Sequence, residues 1–312
     1  MKVFANFPHE LPADPCYAVV TVGVFDGVHR GHQRIFAAAL EGSAPGSVAV
    51  VTFDPHPRAV LGPPKRARLL SPLDERLALF ASYPIGATAV LRFDQQLARM
   101  SYVDFVRKLL VEGLGARRLV LGYNVSLGRE RQGNAERLRA LGRELGFEVT
   151  TVPAFEVDGA PVSSTRIRHF LDAGHVTEAA ALLGRPYWLT GTVVRGSGRG
   201  RRLGVPTANL QMAPEKLVPA RGVYAARLCL DGKEYGGAMN VGVVPTFVPD
   251  GSQSVEVHIL DFDGDLYGAR LQIECIERLR DERKFAGPDD LLAQIRADIA
   301  AARRCLGTVP ES

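Results

Sequence analysis

The chain has 312 residues, of which 46% are hydrophobic and 23% charged, and it carries a net charge of +4. This is an ordinary globular composition with room for about two domains, and the small net charge argues against a nucleic-acid-binding protein. No apolar run approaches the ~20 residues that span a bilayer, and four scattered cysteines without CxxC or zinc-ligand spacing favour reduced thiols in a soluble cytoplasmic protein.

A glycine-containing turn joins the first predicted strand to the first predicted helix. Residues 17–22 (YAVVTV) are apolar and β-branched enough for a buried strand, and residues 33–40 have a helical pattern. His29 and His32 therefore lie at a helix N-terminus, on one face, beside backbone N–H groups that favour an anion. Two imidazoles and a helix dipole directed at one point suit a phosphate group. An isolated HxxH more often marks surface histidines after a loop.

Strands and helices alternate through the rest of the first half. Strands are predicted at residues 47–53, 88–93, 118–121 and 147–152, and helices at residues 71–82 and 102–111. This alternation predicts a parallel sheet of the α/β class. Two prolines at positions 55 and 57 end the second strand at the edge where open α/β sheets bind ligands.

Polar and basic residues follow the last of these strands. Ser163, Ser164 and Thr165 are residue types that cap helix N-termini, and Arg166 and Arg168 add positive charge near the first turn. Hydroxyl, backbone N–H and guanidinium groups together make a phosphate cradle. A helix cap without a ligand is the alternative interpretation.

The second half of the chain has a different pattern. A short helix at residues 171–183 is broken by GRPY at residues 184–187, which places a domain boundary between residues 1–184 and 185–312. Strands then follow one another directly, with Asp-Gly turns at Asp231 and Asp263, until a helix begins at Pro288. This pattern predicts a small antiparallel β-barrel with a C-terminal helix.

A basic, glycine-rich segment and one alternating strand are the candidate sites of the second half. In residues 191–210, Gly196 and Gly204 are among the glycines that let backbone approach a ligand, and arginines stand at 195, 199, 201 and 202. A flexible RNA-contacting segment is the alternative. In residues 254–260, Glu256 and His258 share the face opposite the apolar residues, which is also typical of a solvated strand face.

These motifs resemble those of one protein family, in the same order. Residues 22–32 (VGVFDGVHRGH) are similar to the GxFDGxHxGH signature of bacterial bifunctional riboflavin kinase/FAD synthetases, whose first domain belongs to the HxGH nucleotidyltransferase superfamily. Further blocks resemble the same family: FDPHP at 53–57, SSTRIR at 163–168, PTAN at 206–209, NVGVVPTF at 240–247, VEVHILDFDGDLYG at 255–268 and LRDERKF at 279–285.

The resemblance implies a two-domain enzyme that phosphorylates riboflavin to FMN with ATP and then adenylylates FMN to FAD, using Mg²⁺. It implies catalytic roles for Glu256, His29 and His32, and magnesium binding by Thr207 and Asn209. The nucleotide-binding residues implied are Gly23, Phe25, Asp26, Asn124, Ser163, Ser164, Thr165, Arg168, Gly196 and Gly204. The expected partners are these small molecules, with no nucleic acid or membrane, and the sequence indicates no particular protein partner.

One segment departs from the family pattern. In residues 122–134 (GYNVSLGRERQGN), Asn124 matches, but Val125 and Leu127 replace two aromatic residues. If those aromatics hold the flavin, the adenylylation site is weakened, and a kinase with a degenerate second site is one alternative. The other alternative is a nucleotidyltransferase fused to a nucleic-acid-binding barrel, which the arginine-rich segment motivates.

Overall fold

The computed structural model describes residues 1–10, 16–62, 68–196, 198, 200, 203–243 and 253–307. They form two compact units, Met1–Ser164 and Thr165–Ser312. The helices between residues 164 and 183 thus fall almost entirely in the second unit by packing, whereas the sequence places the functional boundary after residue 184. That functional boundary stays a prediction.

The first unit is built on a six-stranded parallel sheet in the order β1-β4-β3-β2-β5-β6. Its strands are β1 Lys2–Phe7, β2 Val19–Val22, β3 Val48–Asp54, β4 Ala87–Arg92, β5 Arg118–Gly122 and β6 Glu148–Val152. A two-stranded hairpin, β7 Glu156–Val157 and β8 Ala160–Pro161, follows β6. The central strands β2 and β3 are almost wholly buried, as expected of a parallel sheet covered on both faces.

Helices connect these strands and complete the predicted α/β architecture. They are α1 Arg30–Leu40, α2 Pro57–Leu61, α3 Leu73–Ala81, α4 Gln95–Arg99, α5 Tyr102–Asp104 and α6 Ala135–Leu145, with a π-helical Phe105–Glu112 and a 3-10 turn Arg129–Arg131. Because every strand of the sheet runs in one direction, the turns that follow β2, β3 and β5 share one edge of the sheet. Gly23, Phe25, Asp26 and His29 lie in the turn after β2, and Asn124 follows β5, whereas Ser163 and Ser164 follow β8.

The second unit is a closed antiparallel barrel, which confirms the predicted fold class. The strands run in the order β10-β13-β12-β11-β14-β9. They are β9 Tyr187–Val194, β10 Ala208–Met212, β11 Gly222–Leu230, β12 Lys233–Val243, β13 Gln253–Ile259 and β14 Arg270–Arg280. The β11–β12 hairpin turns at Asp231 and Gly232, whose φ angles of 50° and 80° are those of a two-residue hairpin loop.

Three helices in the described part of the chain accompany the barrel. They are α7 Ser164–Ala173, α8 Val176–Leu183 and α9 Pro288–Leu306. The apolar face of α8 is buried against β9 and β14, and α9 packs on β11, β12 and β14. No helix in the described part of the chain combines the length and apolar character needed to cross a bilayer.

Candidate active sites

The turn between β2 and α1 brings the two candidate histidines together. His29 is the N-cap of α1, and its Nδ1 accepts a hydrogen bond from the backbone N–H of His32 at 3.4 Å. The two imidazole rings stack with centroids 3.5 Å apart and planes inclined by 20°. Gly31 allows this approach, because a Cβ there would stand 3.2 Å from the His29 ring. The predicted position at a helix N-terminus is confirmed.

Phe25 and Val28, which precede the histidines, shape the turn from its buried side. Phe25 and Val28 adopt left-handed φ angles of 54° and 40°, which are uncommon outside glycine. The Phe25 ring is buried, and it meets the His32 ring edge-on at 5.2 Å. Gly23 makes room for that ring, since a Cβ there would lie 2.9 Å from Phe25 Cζ. The side chain of Phe25 therefore supports His32 from within the core.

Asp26 connects the turn to two distant segments. Its buried carboxylate accepts hydrogen bonds from the backbone N–H groups of Leu70 at 3.2 Å and Ser71 at 2.9 Å, and its backbone carbonyl accepts one from Ser164 Oγ at 2.9 Å. The Gly27 N–H donates to Ser71 Oγ at 2.7 Å. The structure thus brings Ser164 to the histidine turn, while the Asp26 carboxylate holds neighbouring backbone.

Arg76, a residue that the sequence does not single out, lies beneath the same edge of the sheet. Its side chain is only 1% exposed, and its guanidinium donates to the carbonyl oxygens of Val24 and Phe53 and to Thr52 Oγ1. Burial lowers the pKa of the Arg76 guanidinium, while Asp26 and Asp54 oppose that shift. An arginine on a surface helix is normally solvated, so no sequence pattern distinguishes this one.

In the segment after β5, the side chains of Val125 and Leu127 face the core of the first unit. Leu127 is 6% exposed and belongs to the hydrophobic core, and Val125 packs against that core. Asn124 lies nearer the surface, and its carbonyl accepts a hydrogen bond from Arg131 at 3.0 Å. Gly128 is required here, because a Cβ would stand 2.3 Å from the Tyr102 nitrogen. Val125 and Leu127 are thus packing residues.

The remaining residues of the 163–168 motif divide between the two compact units. Ser163 is half-buried in the first unit, beside the Ser164 that bonds to Asp26. Thr165 and Arg168 lie in α7 within the second unit, where Arg166 places its guanidinium 5.8 Å from the centre of the Phe170 ring.

In the barrel, the candidate kinase residues lie on one face of three neighbouring strands. Asn209 of β10 and Asn240 of β12 are the direct cross-strand partners of Glu256 on β13. Thr207 Oγ1 donates a hydrogen bond to Glu256 Oε2 at 3.2 Å. Gly196 lies against this face, because a Cβ there would stand 2.4 Å from Asn209 Nδ2. Asn240 begins the NVGVVPTF block, which gave it no role, and strand pairing places it beside Glu256.

The predicted alternation of β13 is confirmed. Val255, Val257 and Ile259 are buried, whereas Glu256 and His258 are partly exposed on the other face. A ring nitrogen of His258 lies 2.8 Å from the Pro206 carbonyl oxygen, so this histidine contacts the backbone just before Thr207.

The glycine-rich segment is described only in part. Gly204 has a φ angle of 74°, which glycine adopts without strain, and Arg195 lies 5.5 Å from the centre of the Tyr267 ring. Arg199, Arg201 and Arg202, and residues 244–247 of the NVGVVPTF block, lie outside the described residues. Within the described ranges, no group of three or more His, Cys, Asp or Glu side chains is placed to hold a metal ion.

Comparison with known proteins agrees with both halves of the chain. The family model for FAD synthetase matches residues 11–166, and that for riboflavin kinase matches residues 183–306. The bifunctional riboflavin kinase/FMN adenylyltransferase of Pseudomonas fluorescens is 39% identical over 95% of both chains. That of Listeria monocytogenes is 38% identical over 90% of both, and that of Escherichia coli 35% identical over 96% of this chain and 95% of its own.

A solved structure extends the similarity to the whole fold. A crystal structure described as a macrolide-efflux protein from Streptococcus pneumoniae is 31% identical, with a TM-score of 0.87 over 97% of this chain and 99% of that one. The word efflux in that name refers to transport by that protein. For the present chain, the comparison shows the shared fold. Fold and motifs together define an HxGH-type nucleotidyltransferase followed by a flavokinase barrel. The chain belongs to the bifunctional riboflavin kinase/FMN adenylyltransferase family.

Proposed function

We propose that the chain makes FAD in two steps at two separate sites, phosphorylating riboflavin in the barrel and adenylylating FMN in the α/β unit. The observation that carries the kinase assignment is the grouping of Thr207, Asn209 and Glu256 on one face, with Thr207 hydrogen-bonded to Glu256. The family models for the two activities match the two halves separately, which supports two sites.

The kinase step needs a base, because the nucleophile is a primary alcohol. Glu256 accepts the proton of the riboflavin hydroxyl while the oxygen of that hydroxyl attacks the γ-phosphorus of ATP, and ADP leaves. Glu256 is partly exposed, so a substrate hydroxyl has access to its carboxylate. The hydrogen bond from Thr207 orients that carboxylate.

Magnesium fits the same face of the barrel. Mg²⁺ prefers hard oxygen ligands, often one or two carboxylates completed by phosphate and water. Thr207 and Asn209 supply a hydroxyl and an amide oxygen beside the Glu256 carboxylate. When bound, the ion neutralises charge on the transferring phosphoryl group. Gly196 and Gly204 allow backbone to approach the ATP phosphates.

The adenylyl-transfer step needs charge stabilisation and no strong base. The FMN phosphate has a second pKa of about 6 and is largely ionised at neutral pH. His29, His32 and the N-terminus of α1 stabilise the negative charge that develops on the α-phosphoryl group and on departing pyrophosphate. Gly23, Phe25 and Asp26 shape the turn that presents them.

Other polar residues of the family motifs are proposed as nucleotide contacts. In the first unit they are Asn124, Ser163 and Ser164, of which Ser164 is hydrogen-bonded to Asp26 of the histidine turn. Thr165 and Arg168, in α7 of the second unit, are proposed as nucleotide contacts from the family motif alone. A cytoplasmic location is proposed as well, and the four free cysteines support it.

Two matched substitutions test the two-site assignment in the full chain. Glu256→Gln keeps the side-chain shape and removes the base, so FMN formation falls by about 10²- to 10⁴-fold while supplied FMN is still adenylylated. His32→Ala does the reverse, lowering kcat for FAD formation by about 10²- to 10³-fold. Chromatography of flavins after incubation with ATP and Mg²⁺ follows both activities. If either variant loses both activities equally, the assignment of separate sites is wrong.

The same assay separates the two alternatives raised by the sequence. Accumulation of FMN without FAD in the unmodified protein would indicate a degenerate adenylylation site. No flavin product at all would favour a nucleic-acid-binding barrel.

A further inference from the structure

Arg76 holds together two turns of the α/β unit from below. One guanidinium nitrogen donates to the Val24 carbonyl and to Thr52 Oγ1, both at 2.9 Å, and also to the Phe53 carbonyl at 3.2 Å. The other terminal nitrogen donates to the same Phe53 oxygen at 3.2 Å. Thr52 Oγ1 in turn donates to the Val24 carbonyl at 3.0 Å. One side chain therefore joins the ends of β2 and β3.

The burial of this charge is poorly compensated by an ion pair. The contact with Asp54 spans 3.6 Å, and that carboxylate is 44% exposed. Asp26 already accepts hydrogen bonds from the backbone at Leu70 and Ser71. Arg76 Nε is buried without a hydrogen-bond partner among the described residues. A well-packed apolar side chain is often as stable as a buried charge, or more stable, so stability alone does not account for an arginine here.

The carbonyls that Arg76 binds belong to residues that lead directly into the proposed site. Val24 precedes the left-handed Phe25, the first residue of the turn that presents His29 and His32. Phe53 precedes Asp54, where β3 ends. A guanidinium is a planar fork of donors with fixed geometry, so it sets the separation of two carbonyls in a way that the single ammonium of lysine does not.

We propose that Arg76 is a positioning residue for adenylyl transfer, which fixes the ends of β2 and β3 so that His29 and His32 meet the phosphates. This inference rests on the function proposed above for the histidine pair. Arg76 itself is buried beneath the turns and acts through the backbone of Val24 and Phe53.

The test compares Arg76→Met and Arg76→Lys with a control in the same sheet. Misplacement of reacting groups by about 1 Å costs up to about 10²-fold in rate, so kcat for FMN adenylylation is expected to fall by about 10- to 100-fold in both variants, with little change in KM for ATP. Riboflavin phosphorylation by the same purified chain stays at the wild-type rate. The control is Thr21→Val, which alters a buried side chain of β2 whose hydroxyl has no hydrogen-bond partner among the described residues, and it keeps both activities.

A double variant distinguishes positioning from general destabilisation. If Arg76 acts through the histidine turn, Arg76→Met combined with His32→Ala loses little more activity than His32→Ala alone, because interacting residues are not additive. Wild-type kcat in a folded Arg76 variant overturns the inference, and so do additive losses. If Arg76→Met does not fold, Arg76→Lys carries the comparison, and a rate restored by lysine also overturns it. Should His32→Ala itself keep full adenylylation, the proposed function of the histidine pair fails instead.

Discussion

Buried polar side chains set the geometry of the α/β unit at the scale of single residues. Asp26 holds the backbone at Leu70 and Ser71 through its carboxylate and receives Ser164 through its carbonyl. The Asp26 carboxylate, in the middle of a family motif, thus binds the protein's own backbone. This carboxylate anchors the turn to buried backbone at Leu70 and Ser71.

Asp26→Asn tests how much of the turn depends on the carboxylate. An amide retains one acceptor oxygen and turns a donor toward a backbone N–H, so one buried donor loses its partner. We expect the free energy of unfolding of the α/β unit to fall by about 1–3 kcal/mol, and adenylylation to fall with it. Urea unfolding followed by circular dichroism measures the change. Unchanged unfolding with normal adenylylation would show that this network is dispensable.

At the scale of elements, side-chain contacts in the segment after β5 and in the C-terminal helix are each expected to affect stability. Leu127 lies in the core of the first unit, and its backbone pairs with Gly133. Val125 packs against the same core, so both positions contribute aliphatic packing.

Leu127→Phe is expected to destabilise the protein without improving flavin binding. A larger ring in a filled core costs about 1–3 kcal/mol through overpacking. Val125→Phe, at a half-buried position, serves as the comparison. Thermal unfolding and FMN titration calorimetry measure both properties. Tighter FMN binding by either variant would instead mean that these positions reach the flavin.

The pair formed by Arg303 and Asp261 ties α9 to the end of the β13 strand. Both terminal nitrogens of Arg303 donate to the Asp261 carboxylate at 2.6 Å. These hydrogen bonds lower the pKa of Asp261 in the folded protein. The ionised form is therefore favoured on folding, so the stabilisation is present above the ordinary aspartate pKa of about 3.9 and is lost as pH falls below it.

Arg303→Ala is expected to cost less than about 1 kcal/mol at neutral pH, because Asp261 is largely exposed. The difference from wild type shrinks as the pH falls below about 4. The single tryptophan, Trp188, lies in β9 and reports barrel unfolding by fluorescence. Arg304→Ala, at the exposed neighbouring position, is the control. An effect of Arg303→Ala that is constant with pH would show that the pair contributes nothing through charge.

At the scale of the whole molecule, the barrel and the helices before it form one packed unit. Val176, Ala179 and Leu182 of α8 are buried, and the Ala220 N–H donates to the Leu171 carbonyl in α7 at 2.8 Å. A fragment that starts at residue 185 would expose these barrel surfaces, whereas one that starts at residue 165 keeps them covered.

A fragment of residues 165–312 is therefore expected to form FMN and to unfold at a higher temperature than residues 185–312. Neither fragment forms FAD, since both lack the histidine turn. Thermal melts followed by Trp188 fluorescence, with flavin chromatography, compare the two. Equal melting temperatures would mean that α7 and α8 contribute no stability to the barrel.

The sequence predicted those features that depend on local periodicity. The alternation of β13 and the β-branched run of β2 are each visible within a few residues. The edge strand β1 was missed, because only Phe4 and Phe7 are buried in it, and a spacing of three does not indicate a strand. The role of Arg76 depends on contacts with residues more than 20 positions away, which no local pattern contains.

The closed barrel has a consequence for how chains of this kind associate. A closed sheet has no free strand edge, whereas an open sheet has two, and unpaired edges are templates on which other chains add. In the α/β unit those edges belong to β1 and β6. Exposed Lys2 and Glu148 put charge on these strands, as natural edge strands do. Among the described strands, those open to strand addition therefore lie in the α/β unit, and aggregation by this route is expected to start there.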